Sequence, residues 1–263
     1  MLGAFALLWW NFYQTALSYR PDGLWTSDLH IWSDWPVHLG QLTSFAFGDN
    51  FPPQNPFFSG HALNYHFLSA FTAAAMVKLG MDPVTALDLH SSIFMMLITL
   101  GVYAFARRLT CNTHVATLTV ILFLLGGGMG WLLTVGDLNE SHNALNTFTQ
   151  HPWDYQAASV NNFRVETTFL EAIAPQRGFL YGLPLALLIL TLLLAAVRRN
   201  GWVLYLAAGL IAGLLPLAHL GTLLALALIT PFLFLLFPSR YWFVFFASWI
   251  LVAVPQLYFQ QGG

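Results

Sequence analysis

Two carboxylates and two imidazoles stand within eleven residues near the beginning of the chain: Asp28, His30, Asp34 and His38. Asp34 and His38 are four residues apart, so their side chains share a face if this segment is helical. A carboxylate beside an imidazole can act as a general base with an orienting partner. Asp34, Asp28 and His30 are also candidate ligands for a divalent cation such as Mg²⁺ or Mn²⁺. A helix-capping aspartate followed by a surface histidine would give the same spacing.

A second candidate pair, Gln176 and Arg177, stands directly before a long apolar segment. The donor fork of a guanidinium matches the oxygens and the charge of a phosphate, such as that of a lipid carrier. Gln176 can donate to the same group. An arginine that anchors a helix to lipid headgroups would occupy the same position. The sequence leaves both interpretations open.

These polar groups are carried by a very apolar chain. Of its 263 residues, 57% are hydrophobic and 8% are charged, whereas a soluble domain has about 25% charged residues. This composition excludes an ordinary soluble enzyme, and the net charge of −2 excludes a nucleic-acid binder that neutralises phosphates. The single cysteine, Cys111, excludes an internal disulfide framework. The sequence therefore predicts a polytopic membrane protein.

Seven apolar segments approach the length of about 20 residues that a bilayer requires. The apolar stretch 202–237 is too long for one span, and Pro216, His219 and Gly221 divide it in two. The predicted fold class is all-α, a polytopic transmembrane helix bundle that forms a single membrane domain. The predicted spans are 2–18, 84–106, 114–135, 178–197, 202–219, 221–237 and 241–258.

The arginines predict the orientation of the bundle. Five of them follow the second, fourth and sixth spans: Arg107, Arg108, Arg198, Arg199 and Arg240. All five lie on one side if the segment 63–79 does not cross, and the positive-inside rule makes that side cytoplasmic. We therefore expect 63–79 to be a juxtamembrane helix, the N-terminus to be cytoplasmic, and the loops 19–83 and 136–177 to lie outside the plasma (inner) membrane.

The first outer loop contains a helix-start signal. Ser33 and Asp34 are capping residues and Pro36 suits the first turn, so we expect a second juxtamembrane helix over about 34–47. The loop shows little of the alternation that strands require. Within the predicted spans, Asp88, His90 and His219 are ionisable residues and thus candidates for function, although all three lie near the outer ends.

Several stretches resemble the GT-C superfamily of polytopic membrane glycosyltransferases, and the resemblance covers most of the chain. They are SDWPVH (33–38), FPPQNPFFSG (51–60), NYHF (64–67) and PQRGFLYGLP (175–184). The resemblance implies a membrane enzyme that moves a sugar from a polyprenyl-phosphate donor to an acceptor on the outer face. Members often have further spans or an outer domain, so the chain could be a fragment of a longer protein.

The resemblance also implies roles for individual residues. Asp34 would be the base that deprotonates or orients the acceptor hydroxyl, or a metal ligand, and His38 would assist it. Arg177 would stabilise the phosphate leaving group. The other implied substrate-binding residues are Gln176, Tyr65, His66 and Glu166. Many members carry a second acid beside the first, whereas Trp35 and Pro36 follow Asp34 here, so Asp28 and Asp49 are alternative bases.

Two other functions fit the same chain. A transporter or flippase for a lipid-linked or anionic solute would suit a third span interrupted by the glycine-rich stretch 126–130. That function predicts charges deep in the bundle, whereas nearly all charges lie at its outer edge. A non-catalytic assembly subunit predicts that Asp34 and Arg177 are replaceable. The expected partners are a lipid-linked sugar donor and membrane lipids, and no nucleic acid.

Overall fold

The computed structural model describes residues 2–26, 34–126, 131–141 and 173–260. These residues are mostly helical and include a two-stranded hairpin. The helices are α1 (Leu2–Ala16), α2 (Trp35–Phe47), α3 (Leu68–Lys78), α4 (Pro83–Thr110), α5 (Thr113–Leu125), α6 (Trp131–Ser141), α7 (Arg177–Arg199), α8 (Trp202–Ala212), α9 (Leu215–Ala218), α10 (Leu220–Leu236) and α11 (Trp242–Gln260). The strands are β1 (Leu17–Arg20) and β2 (Gly23–Thr26).

Three helices in the described part of the chain are long and apolar enough to cross a membrane: α4, α7 and α11. Shorter apolar helices accompany them, namely α3, α5, α8 with α9, and α10. Large apolar side chains such as Leu228, Phe232 and Leu251 are exposed on α10 and α11. An exposed apolar surface of this kind suits a lipid environment. The helices thus agree with a membrane protein, and the structure does not show seven spans.

Helix α4 lies at the centre of the fold and packs against α1, α5 and α7. Its N-terminus is capped by Asp82, whose carboxylate accepts hydrogen bonds from the amides of Val84 (2.9 Å) and Thr85 (3.1 Å). These bonds satisfy amides that have no partner within the helix. It ends at Cys111, whose φ of 56° is left-handed and stops the helix. The close approach of α4 to α7 is possible because Gly101 faces the Leu187 side chain.

The helices α4 and α7 run parallel. Near the start of α4, the Leu87 carbonyl lies 3.5 Å from Nη1 of Arg177, the first residue of α7. At their other ends, Nη1 of Arg198 donates to the Arg108 carbonyl at 2.8 Å. We refer to these as the Arg177 end and the Arg108 end of the bundle. With a rise of 1.5 Å per residue, the two ends of α7 are about 30 Å apart.

The fold corrects the all-α prediction at residues 17–26. The strands β1 and β2 pair antiparallel, with Arg20 opposite Gly23 and with Pro21 and Asp22 as the turn. Pro-Asp-Gly is a turn signal with a mechanism, because proline fixes φ and glycine tolerates a positive φ; Gly23 has φ of 133°. Span 2–18 is therefore too long, since α1 ends at Ala16.

The third predicted span is also corrected. Helix α5 ends at Leu125 and α6 begins at Trp131, so a single helix over 114–135 does not form. Gly126 has extended backbone angles (φ −62°, ψ 102°), and glycine weakens a helix because its backbone is free to leave it. The helix predicted over 34–47 forms as α2, and α3 occupies part of 63–79.

Candidate functional site

The side chain of Arg177 is buried at the beginning of α7 and is only 3% exposed. Its guanidinium carbon lies 4.2 Å from the ring centroid of Trp35 on α2 and 5.5 Å from that of Tyr13 on α1. These distances are those of cation–π contacts. Among the described residues, Nη1 makes a single long hydrogen bond, to the Leu87 carbonyl, and Nη2 has no hydrogen-bond partner. A positive charge with an unpaired donor is thus enclosed by three helices.

Other buried polar atoms that have no hydrogen-bond partner in the described part of the chain belong to residues that contact this guanidinium or interact with it electrostatically. They are the Tyr13 hydroxyl, Nε1 of Trp35 and Oδ1 of Asp88, whose side chain is 3% exposed. Both Asp88 and Asp34 interact electrostatically with Arg177. A buried donor or acceptor that lacks a partner costs about 1–3 kcal/mol, and native proteins contain few of them. Their concentration around one charge marks this place as a candidate binding site, which we call the Arg177 site.

Asp34 lies at the edge of the Arg177 site. It occupies the N-cap position of α2, but its side chain makes no capping hydrogen bond, so the capping interpretation of the sequence does not hold. The carboxylate is half-buried and interacts electrostatically with Arg177 and Tyr65. Burial raises the pKa of Asp34 above its ordinary value, although the charge of Arg177 opposes this change. A raised pKa makes a carboxylate a better base near neutral pH.

His38 is buried one turn after Asp34. Its Nε2 lies 3.2 Å from the Pro175 carbonyl; a carbonyl can only accept, so Nε2 carries the proton and donates. Burial, together with the charge of Arg177, lowers the pKa of His38 to about 3. A neutral imidazole in this bond ties α2 to the segment that precedes Arg177. This geometry suits a positioning residue better than a base.

Tyr65 and His66 form the other rim of the site. Their rings stack with centroids 3.9 Å apart, and His66 meets the His219 ring edge-on at 5.1 Å. Burial and the neighbouring His219 lower the pKa of His66 to about 4. Nδ1 of His219 accepts from the Thr222 amide at 3.2 Å and so caps α10. The imidazole of His66 packs on Gly178, where a Cβ atom would overlap it.

The structure therefore brings five of the predicted site residues to one place. These are Asp34, His38, Tyr65, His66 and Arg177. Gln176 is exposed at the N-cap of α7 and makes no capping bond. Asp49, an alternative base, is exposed in the loop after α2. Asp28, His30 and Glu166 lie outside the described residues.

Two of the three predicted cation ligands, Asp28 and His30, lie outside the described residues. Among the residues that are described, no group of three or more His, Cys, Asp or Glu side chains could hold a metal ion. The charge that acts on Asp34 is the guanidinium of Arg177, which would repel a cation.

Sequence reasoning missed part of the site. The sequence gives no sign that Tyr13 and Trp35 belong to a site, because no local pattern distinguishes them from other aromatic residues of the chain. Asp88 did carry a signal, because it is the only acid between 83 and 136 and an acid within a spanning segment marks function. His90 is close to Asp88 in the sequence, but its side chain contacts α3, where its Nε2 lies 3.0 Å from the Thr72 hydroxyl.

Comparison with known proteins places these residues in a family. The sequence model of a family described as "Uncharacterized membrane protein (DUF2298)" matches residues 24–165, which is 142 of the 263 residues. The match includes Asp34, Tyr65 and Asp88 but ends before Arg177. No curated protein and no solved structure matches the chain. The matched region covers more than half of the chain, which therefore belongs to the membrane protein family DUF2298.

Proposed function

We propose that the protein is an integral membrane glycosyltransferase that moves a sugar from a polyprenyl-phosphate donor to an acceptor hydroxyl. One observation supports this function above all. The carboxylate of Asp34, which makes no capping hydrogen bond, lies in the electrostatic field of a buried arginine whose Nη2 has no hydrogen-bond partner among the described residues. A base and a phosphate-binding cation are the two groups that such a transfer requires.

In this reaction Asp34 accepts the proton of the acceptor hydroxyl. The hydroxyl oxygen then attacks the anomeric carbon of the donor from the face opposite the phosphate. The new C–O bond forms as the bond from that carbon to the phosphate oxygen breaks, and the electron pair leaves with the phosphate. A single displacement of this kind inverts the configuration. The raised pKa of Asp34 supports its role as the base, since a base works best with a pKa near the working pH.

Arg177 stabilises the negative charge that develops on the departing phosphate. An arginine fork matches phosphate oxygens, and a prepositioned charge in a site without bulk water is worth more than the same charge in solution. The rings of Trp35 and Tyr13 fix the guanidinium in place. Nη2 remains available for the phosphate because no atom of the described residues accepts from it. His38 holds the segment before Arg177 through the Pro175 carbonyl.

The position of the site also suits a lipid-linked donor. Arg177 is the first residue of a helix that can cross a membrane, so the polyprenyl chain can stay in the bilayer while its phosphate reaches the site. Four arginines lie at the opposite ends of α4 and α7. By the positive-inside rule that end is cytoplasmic, and the Arg177 site then faces outward. Tyr65, 42% exposed, presents its ring on the accessible side.

The proposed function is tested by measuring the release of polyprenyl phosphate from a panel of labelled polyprenyl-phosphate sugars. This product forms whatever the acceptor is. The variants are Asp34→Asn, Arg177→Lys and, as a matched control, Asp49→Asn, each in membranes with equal amounts of protein. We expect Asp34→Asn and Arg177→Lys to lose at least about 100-fold in rate and Asp49→Asn to keep it. Unchanged release in Asp34→Asn would contradict the proposed function.

A further inference from the structure

Four arginines line a cavity at the Arg108 end of the bundle. Arg107 and Arg108 come from the last turn of α4, and Arg198 and Arg199 from the last turn of α7. The cavity has a volume of about 460 Å³, and all four side chains are exposed. We call it the arginine cavity. It lies about 30 Å from the Arg177 site, at the far end of α7, and takes no part in the proposed transfer.

No acid is among the described residues that line the arginine cavity. No Asp or Glu occurs between 89 and 136 or between 172 and 263, the ranges that contain both helix ends. Two helix C-termini contribute only about one negative charge together, against four arginines. One arginine, Arg198, donates to the Arg108 carbonyl, which spaces the two helices and keeps the cavity open. An anion of more than one negative oxygen is the ligand that fits this charge.

An apolar groove of about 520 Å³ adjoins the arginine cavity, and Arg198 lines both. The groove lies between α4, α7 and α10, and its walls include Leu109, Leu194 and Ile229. Leu109 and Ile229 are about half exposed. A soluble anion would satisfy the arginines and leave this groove open. A ligand with a charged head and an apolar tail would fill both, and basic pockets between membrane helices hold such lipids.

We propose that the arginine cavity and the apolar groove bind one anionic phospholipid, with its phosphate on the arginines and an acyl chain in the groove. The site is separate from the Arg177 site and needs no sugar transfer. It would fix the spacing of α4 and α7, the two helices that meet again at Leu87 and Arg177.

The chain carries its own reporter for this site. Cys111 is the only cysteine, is exposed, and lines the arginine cavity. The experiment measures the rate at which a maleimide modifies Cys111 in the purified full-length protein in neutral detergent. The additions are phosphatidylglycerol, phosphatidylcholine, or inorganic phosphate without tails. We expect phosphatidylglycerol to slow the modification at least 5-fold and the other two to change it less than 2-fold.

Variants locate the effect, each compared with its own rate without lipid. We expect Arg107→Gln and Arg199→Gln to lose most of the protection by phosphatidylglycerol. Arg240→Gln should keep it, because Arg240 is an equally exposed arginine that contacts Tyr241 and does not line the cavity. In the groove, Ile229→Trp should reduce protection, whereas Leu228→Trp, at a neighbouring exposed position outside the groove, should not.

Three outcomes would overturn the proposal. Equal protection by phosphatidylcholine would show that charge plays no part. Equal protection by inorganic phosphate would show a site for a soluble anion instead. A loss of protection in Arg240→Gln as large as in Arg199→Gln would show a general effect of surface charge. None of these outcomes depends on whether the protein transfers sugars.

Discussion

The guanidinium carbon of Arg177 lies 4.2 Å from the centre of the Trp35 ring. Trp35 directly follows Asp34, so the cation–π contact fixes the buried charge relative to the backbone that carries the proposed base. One turn further along α2, His38 donates to the carbonyl of Pro175, two residues before Arg177. Helix α2 thus holds the beginning of α7 at two points, and the Arg177 site depends on that attachment.

The first prediction concerns the buried charges of Arg177 and Asp88. Arg177→Met removes the cation that acts on Asp88 within the described part of the chain. The variant leaves a buried carboxylate without this partner and should lower the free energy of unfolding by at least about 2 kcal/mol. In the double variant with Asp88→Asn both charges are gone, and we expect the loss to be smaller than the sum of the single losses by about 1–2 kcal/mol. Denaturant unfolding in mild detergent measures these differences. Strict additivity would show that the two charges do not interact, and sugar transfer should stay absent in both Arg177 variants.

The second prediction contrasts two aspartates that both stand at helix N-caps. Asp82 accepts two amide hydrogen bonds, so Asp82→Ala should lower the free energy of unfolding by about 1 kcal/mol. Asp34 makes no capping bond, so Asp34→Asn should change it by less than about 0.5 kcal/mol and yet abolish transfer. Thermal unfolding and the donor assay on the same preparations separate the two effects. If Asp34→Asn destabilised the protein as much as Asp82→Ala, Asp34 would be a structural residue.

The third prediction is a loss of stability in acid that depends on His38. Its pKa is lowered from 6.5 to about 3 by burial, so between these values the unfolded chain binds more protons than the folded protein. The stabilisation is complete above about pH 6.5 and is lost as the pH falls toward 3. Between pH 6.5 and 5 the loss from His38 is about 1.5 kcal/mol.

The variant His38→Gln does not titrate and can still donate to the Pro175 carbonyl. We expect its stability to fall less than that of the natural protein between pH 6.5 and 5, by about the same 1.5 kcal/mol. The difference between the two proteins isolates His38 from His66 and Asp34, which also titrate in acid. His114→Gln, at an exposed position beginning α5, is the matched control for replacing a histidine with glutamine. Identical pH profiles of His38→Gln and the natural protein would contradict the prediction.

The sequence was sufficient for the parts of the fold that local patterns specify. Apolar runs predicted spans at 84–106 and 178–197, and α4 and α7 form there. The Pro36 signal predicted the start of α2. The turn residues Pro21, Asp22 and Gly23 indicate the hairpin. The apolar composition of the preceding segment extends the predicted span to Ser18, and this obscures strand β1.

The sequence was not sufficient for the Arg177 site. Tyr13, Trp35, Asp88 and Arg177 come from four helices and span 165 residues. No periodicity within one helix predicts that these side chains converge, because convergence depends on how the helices pack. Asp34 and Arg177 were each chosen by type and by resemblance. Only the packing shows that α2 carries one of them against the other.

The last prediction uses the contact between His66 and Gly178. A Cβ atom at residue 178 would overlap the imidazole of His66 and crowd His219. Gly178→Ala should therefore destabilise the protein by about 1–3 kcal/mol. This loss is expected even though alanine favours a helix more than glycine does. Removing the imidazole as well, in Gly178→Ala with His66→Ala, should restore most of that stability. Gly136→Ala on α6, where a Cβ meets no atom within 4 Å, is the matched control and should be neutral or slightly stabilising. Thermal unfolding of the natural protein and the three variants measures these differences. A double variant that is no more stable than Gly178→Ala alone would show that Gly178 does not accommodate the His66 ring, and His66 would then not belong to the rim of the Arg177 site.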